Sequence, residues 1–322
     1  MQRHWQAIGR LVGSHLTLIV PIGVAVGVLF PQTLLPLKPT IPTLFAFMTF
    51  QNSLSNNLGA MRVALKRPVA LLVVIALVHV VAPVLVFAIA SLVFGSDSPT
   101  TAGVVLANSV PIGASAIMWV GMFEGEVALG LCALLVSSLI SPVTIPATIQ
   151  LLLGATIEVD APGMMGNMAY MVALPALAAT VLNMRTHGWG ERVLSPVLMP
   201  ASRLLLPLIV ATNATGISDH LLHLTPQLAG VMCLVLCFVV GGFVLGMVIA
   251  GRVAGNNEQR FVAVAFLCGI RNITAGAVLA AQYFGPEVLF PAIMGTPFQQ
   301  VLAATFGKVM ERVLSRRRGR QG

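Results

Sequence analysis

The sequence predicts an all-α membrane protein whose ten transmembrane helices form two inverted five-helix repeats, and three observations lead there. Of 322 residues, 57% are hydrophobic and only 9% charged, with a mean hydropathy of +0.94. That is too apolar for a soluble globule. Apolar stretches recur ten times, each long enough or nearly so to cross a hydrocarbon core about 30 Å thick. The second half of the chain also echoes the first.

The first stretch, 14–36, follows Arg3 and Arg10 as a signal peptide would, but it runs on to Phe30-Pro31 with no small-residue cleavage site and reads as a span. The second, 40–58, closes with the polar run Thr49 to Asn57, read as leaving the bilayer at the cytoplasmic side. The third, 68–94, follows Arg62, Lys66 and Arg67 and carries His79 midway, with Pro83 close by. In the fourth, 101–122, Pro111 removes a backbone donor and Gly113 relaxes the chain, so a break is expected within Ser109-Val-Pro-Ile-Gly-Ala-Ser115. The fifth is 127–153, and the sixth and seventh, 165–183 and 200–217, bracket Arg185 and Arg192, with Arg203 read at the same cytoplasmic face. The eighth, 225–250, is followed by Arg252 and Arg260; the ninth, 261–283, holds Arg271; the tenth, 288–311, carries Gln299 and Gln300 and ends in an Arg-rich tail.

The formal net charge of +8 could suggest a nucleic-acid partner, but the basic residues sit in short clusters between apolar runs. With the N-terminus in the cytoplasm, Lys38 alone falls outside and Arg271 alone within the membrane, which places both termini in the cytoplasm. Cys132, Cys233, Cys237 and Cys268 all lie in apolar segments, so neither a disulfide framework nor a zinc site is expected.

Phe123-Glu-Gly-Glu-Val127 recurs as Phe284-Gly-Pro-Glu-Val288, an offset of 161 positions, half the chain. The repeats are therefore about 1–160 and 161–322, within a single transmembrane transporter domain. Five spans per repeat is odd, so the second copy enters the membrane from the opposite face. The same offset sets Ser109–Ser115 opposite Ile270–Gly276, with Gly269 at the second break, and predicts crossed discontinuous helices 4 and 9.

A central Arg costs about 2.5–3.5 kcal/mol on insertion scales, so Arg271 is expected to face a polar cavity or pathway. All ten acidic residues fall in loops or at segment ends. A site with Arg271 and no counter-carboxylate carries net positive charge and favours a small organic anion. Asn272, Thr274, Ser109 and Ser115 would supply hydrogen bonds, with His79, Gln299 and Gln300 as further polar candidates. No nucleophile elbow, zinc-protease helix or phosphate-binding loop is present, so neither an enzyme nor a cofactor is expected.

These residues resemble the bile acid:sodium symporter family, particularly its bacterial members, over nearly the whole chain: Leu29-Phe30-Pro31, Arg62-Val-Ala-Leu-Lys-Arg-Pro68, Gly125-Glu-Val-Ala-Leu129, Ser138-Leu-Ile-Ser-Pro142 and Gly269-Ile-Arg-Asn272. The resemblance implies a core of spans 3–5 and 8–10 around the crossed helices and a panel of spans 1, 2, 6 and 7. It further implies substrate between the two and an inner-membrane location. It makes sodium the one ion to consider, yet the family's sodium-ligand positions align with Ala116, Ile117, Gly130, Leu134, Leu267, Arg271 and Val78, which supply almost no oxygen. The expected function is a secondary active transporter of small organic anions, with Arg271 as a fixed intramembrane charge and weakened or absent sodium sites. A true sodium-coupled symporter, an auxin-efflux-like anion exporter and a non-transporting membrane sensor are the alternatives; the short basic tail Glu311 to Gly322 argues against the sensor.

Overall fold

The structure, a computed structural model, describes residues 2–56, 68–154, 160–222 and 225–321. Helix is the only regular structure among them apart from one isolated β-bridge. α1 is Gln2–Ser14 and α2 is Leu16–Leu29, turned 87° from it. Short turns over residues 31–40 lead to α3, Ile41–Ser53. Next come α4 (Pro68–Phe94), α5 (Pro99–Ser109), α6 (Ser115–Met122) and α7 (Val127–Leu153). The later helices are α8 (Ala161–Arg185), α9 (Gly190–Ile217), α10 (Pro226–Val253), α11 (Glu258–Gly269), α12 (Ile273–Tyr283) and α13 (Pro286–Gln321).

Five of these, α4, α7, α8, α9 and α10, are single helices long and apolar enough to cross a membrane, and the bent pair α1 and α2 would make a sixth. The protein is thus an all-helical, multi-pass integral membrane protein. The apolar stretches 101–122 and 261–283 are each divided into two short helices, for reasons that belong to the site.

Local chemistry sets the boundaries. Prolines at 68, 99, 226 and 286 begin helices where a missing N–H costs nothing. Ser98 Oγ accepts from Thr100 N–H at 3.2 Å and Asn257 Oδ1 from Arg260 N–H at 2.8 Å, capping α5 and α11. Gly95, at φ 91°, ends α4 in a conformation that other residues resist. Three π-turns, Leu77–Val81, Ala169–Ala173 and Gly190–Leu194, each stop two residues before a proline, Pro83, Pro175 and Pro196. The wider turn gives the pyrrolidine ring room and absorbs the missing hydrogen bond without breaking the helix.

Two buried apolar clusters hold the helices together. One joins Phe45, Met164, Ile209, Leu279 and Phe290; the other joins Leu71, Trp119, Phe243, Phe266 and Met310. α9 packs on α1, α2 and α3, and α8 packs on α3. On the other side α10 packs on α11, and α13 lies against α5, α10 and α12. α7 and α8 join the two groups.

Two sets of polar side chains tie helices together. At the polar end of the second segment Gln51, Ser53 and Asn56 are buried. Gln51 Nε2 donates to Ser195 Oγ at 3.2 Å, and Asn56 Nδ2 donates to Thr180 Oγ1 at 3.3 Å. Arg203 lies inside α9, and its Nη1 donates to the Gly9 carbonyl of α1 at 2.8 Å. Asn57, Arg62, Lys66, Arg67 and Glu158 fall outside the described residues.

Candidate functional site

α5 stops at Ser109 and α6 starts at Ser115; α11 stops at Gly269 and α12 starts at Ile273. The two extended breaks run antiparallel and pair at Ile112 and Arg271. Gly113 N–H donates to Ile270 O at 3.2 Å, and Asn272 N–H donates to Pro111 O at 2.8 Å. Unpaired backbone groups are costly in a water-poor interior, and the bridge satisfies four of them at once. Ser137 Oγ on α7 takes the Ile112 N–H at 3.0 Å. Gln299 on α13 takes Arg271 N–H at 2.8 Å and returns its Nε2 to Arg271 O at 3.0 Å.

The bridge demands a glycine. A Cβ on Gly113 would lie 2.8 Å from Arg271 O and 3.1 Å from its carbonyl carbon. Gly269 is the last residue of α11, at the edge of the break, and a Cβ there would meet the Phe243 ring at 2.3 Å. It serves close packing of α11 on α10.

Arg271 is 7% exposed, and its Nε and Nη1 are buried without a hydrogen-bond partner. No Asp or Glu is among the buried residues described, so no carboxylate neutralises it there. Arg271 lines a cavity of about 290 Å³ between α4, α5, α10, α11 and α13. Its walls are apolar except for Asn108, Cys268, Arg271 and Gln299, and none of them comes from α2, α3, α8 or α9.

His79 is buried in the π-turn of α4, with Nε2 2.8 Å from Ser137 Oγ and Nδ1 2.9 Å from Thr144 Oγ1. Thr144 also donates to Ile140 O at 3.2 Å. One assignment satisfies every group: Nδ1–H donates to Thr144, and Ser137 donates to Nε2 while accepting from Ile112. His79 is then a neutral imidazole that braces the α5–α6 break through Ser137. Neither Ser137 nor Thr144 was singled out from the sequence, although they lie seven residues apart, on one face of α7.

The other expected residues divide into groups. Asn272 caps α12, its Oδ1 accepting from Ala275 N–H at 3.4 Å, and Thr274, two residues on, is half-buried. Ser109 Oγ bonds back to Val105 O at 2.8 Å. Ser115 accepts from Gln300 Nε2 at 3.2 Å, and Gln300 Oε1 accepts from Trp119 Nε1 at 2.9 Å. Gln300 thus ties α6 to α13, away from Arg271. Val78, Ala116, Leu134 and Leu267 sit in one buried apolar cluster with Ile117 against it. A Cβ on Gly130 would meet Ile117 Cδ1 at 2.9 Å. Five of the positions that the resemblance assigns to sodium are therefore apolar side chains in or against that cluster. Among the described residues no group of three or more His, Cys, Asp or Glu is placed to hold a metal.

The profile of the Sodium Bile acid symporter family matches residues 42–224. The Bacillus subtilis "Uncharacterized protein YbaS" is 32% identical over 295 residues, covering 92% of this chain and 96% of its own. The Arabidopsis thaliana "Probable sodium/metabolite cotransporter BASS1, chloroplastic" is 23% identical over 95% of this chain and 75% of its own. The corresponding "BASS2, chloroplastic" protein of Oryza sativa is 23% identical over 89% and 68%.

Proposed function

The chain belongs to the Sodium Bile acid symporter family, and from that premise we propose that it is a secondary active transporter of small organic anions working by alternating access. Ten spans form two inverted five-helix repeats. α4–α7 and α10–α13 make the core, and α2, α3, α8 and α9 make the panel. Rocking of one against the other turns the crossed breaks to each face of a bacterial inner membrane, with both termini in the cytoplasm.

The observation that carries this reading is the Arg271 guanidinium, buried with two nitrogens unpaired. A buried charge left unpaired is costly, and an anion is the ligand that relieves the cost. Arg271 also stands as a built-in positive charge where relatives would bind sodium. Hard cations need several oxygen ligands, and the apolar filling of Val78, Ala116, Leu134 and Leu267 supports weak or absent sodium coupling.

A second reading, sodium-coupled symport, is favoured by the names of the plant relatives, which are called sodium/metabolite cotransporters. Counterflow of labelled organic anions in proteoliposomes, with sodium replaced by choline, separates the two. Equal rates support the Arg271 reading, and a steep sodium dependence favours symport. Absence of counterflow for every anion tried would remove the transporter of organic anions altogether.

A further inference from the structure

We propose that the cavity bounded by α4, α5, α10 and α13 binds an alkyl-tailed carboxylate that enters sideways from the bilayer, its head on the Arg271 guanidinium and its tail leaving between α4 and α10. This rests on the reading of Arg271 as an anion-binding charge and adds both the kind of anion and its route.

Three features of the cavity point to an amphiphile. Its polar wall groups other than Arg271 are largely engaged: Gln299 spends both ends of its amide on the Arg271 backbone, and Asn108 Nδ2 donates to Val104 O at 2.8 Å. The guanidinium is the group with donors to spare, two of its nitrogens being buried and unpaired. All the rest of the wall is apolar except Cys268. A hydrated or polyhydroxylated anion would lose its water there and find no replacement partners. A single carboxylate on a hydrocarbon tail meets one cation and otherwise needs only apolar contact.

The mouth faces lipid. Leu85 and Ile89, in the second half of α4, are each 46% exposed, and Gly241, near the middle of α10, is exposed as well. α10 makes its main contact with α4 at Pro68–Ala76, leaving the half that bears Leu85 and Ile89 apart from it. A Cβ on Gly241 would meet nothing within 4 Å, so the gap is open at that point. At about 290 Å³ the cavity is at the low end for ligand pockets, which run about 300–1,000 Å³. It takes a head group and the first carbons of a chain, and the remaining carbons lie between the helices in the hydrocarbon, where they cost no desolvation.

The test is equilibrium binding of radiolabelled dodecanoate to the full chain in phosphatidylcholine nanodiscs, with acetate and dodecanol as competitors. Saturable binding that dodecanol does not displace, and that acetate displaces only at far higher concentration, is the expected result. Gly241→Trp fills the mouth, and open space around that Cβ lets the fold persist; it should weaken binding on the order of tenfold or more, as should Arg271→Met. Equal competition by dodecanol overturns the proposal, because the charge would then be irrelevant. Equal competition by acetate overturns it too while leaving Arg271 as an anion site. Unchanged binding by a stably folded Gly241→Trp removes the lateral route. Failure of both dodecanoate and acetate to bind defeats this proposal together with the anion-binding reading of Arg271.

Discussion

Gln299 closes both backbone hydrogen bonds of Arg271, accepting from its N–H at 2.8 Å and donating to its carbonyl at 3.0 Å. The amide does for one residue what a further helical turn would have done, so the chain can be extended at the break and still have its peptide groups satisfied. The arrangement fixes the backbone that carries the guanidinium and leaves the guanidinium itself unspent. It also makes one side chain on α13 responsible for the geometry of α11 and α12.

Replacing Gln299 with Leu should therefore leave a buried N–H and a buried C=O without partners, each costing about 1–3 kcal/mol. The expected outcome is a clear drop in thermal unfolding temperature, with Gln299→Glu also impaired because a carboxylate returns no donor to the Arg271 carbonyl. Unfolding scans of the purified variants in one detergent check this; a Leu variant as stable as the parent would mean that water or a shifted backbone replaces the amide.

Gly113 makes a sharper geometric claim. Its missing Cβ leaves 2.8 Å to Arg271 O, whereas the same atom at Gly241 meets nothing within 4 Å. Gly113→Ala should push the two breaks apart and cost on the order of 1–3 kcal/mol, as overpacking does. Gly241→Ala, in the middle of a helix, should be neutral or gain up to about 1 kcal/mol. Equal melting temperatures for the two alanine variants would contradict the close crossing at Ile112 and Arg271.

Ser137 holds two partners at once, Ile112 N–H and His79 Nε2. Its neighbour Ser138 is also buried but takes no part in that chain. Ser137→Ala should destabilise by about 1–3 kcal/mol per orphaned group, and Ser138→Ala by distinctly less. Paired unfolding scans decide it, and comparable losses from the two substitutions would show that the His79 network contributes nothing to the break.

Sequence pattern reached the long helices more readily than the polar contacts. Pro68 and Gly95 punctuate the third segment so strongly that the expected 68–94 and the observed Pro68–Phe94 coincide. Pro111 and Gly113 mark an interruption for the same local reason. The roles of Gln299 and Gln300 were not separable, because neighbours on a helix point about 100° apart and only packing tells which faces Arg271 and which faces Trp119. Ser137 and Thr144 lie 58 and 65 residues from the His79 they hold, a separation that no local pattern spans. The contacts of Gln51 and Asn56 are hidden for a related reason: their hydrogen-bond partners belong to helices more than a hundred residues later.

Arg271 should be a residue whose loss stabilises the protein and silences it. Its guanidinium is desolvated, and Nε and Nη1 have no partner, so in the absence of ligand the charge is a burden on the fold. Arg271→Met keeps the length and apolar bulk of the side chain while removing the charge; replacing buried charge by well-packed apolar groups gains on the order of 1–4 kcal/mol in other proteins. The backbone clamp from Gln299 uses only main-chain atoms of residue 271 and survives the substitution. A higher unfolding temperature together with loss of organic-anion counterflow is the expected pair of results, since groups that carry function are commonly held at a cost to stability. A variant that unfolds early would reveal hidden partners for the guanidinium, and one that still transports would take Arg271 out of the anion site.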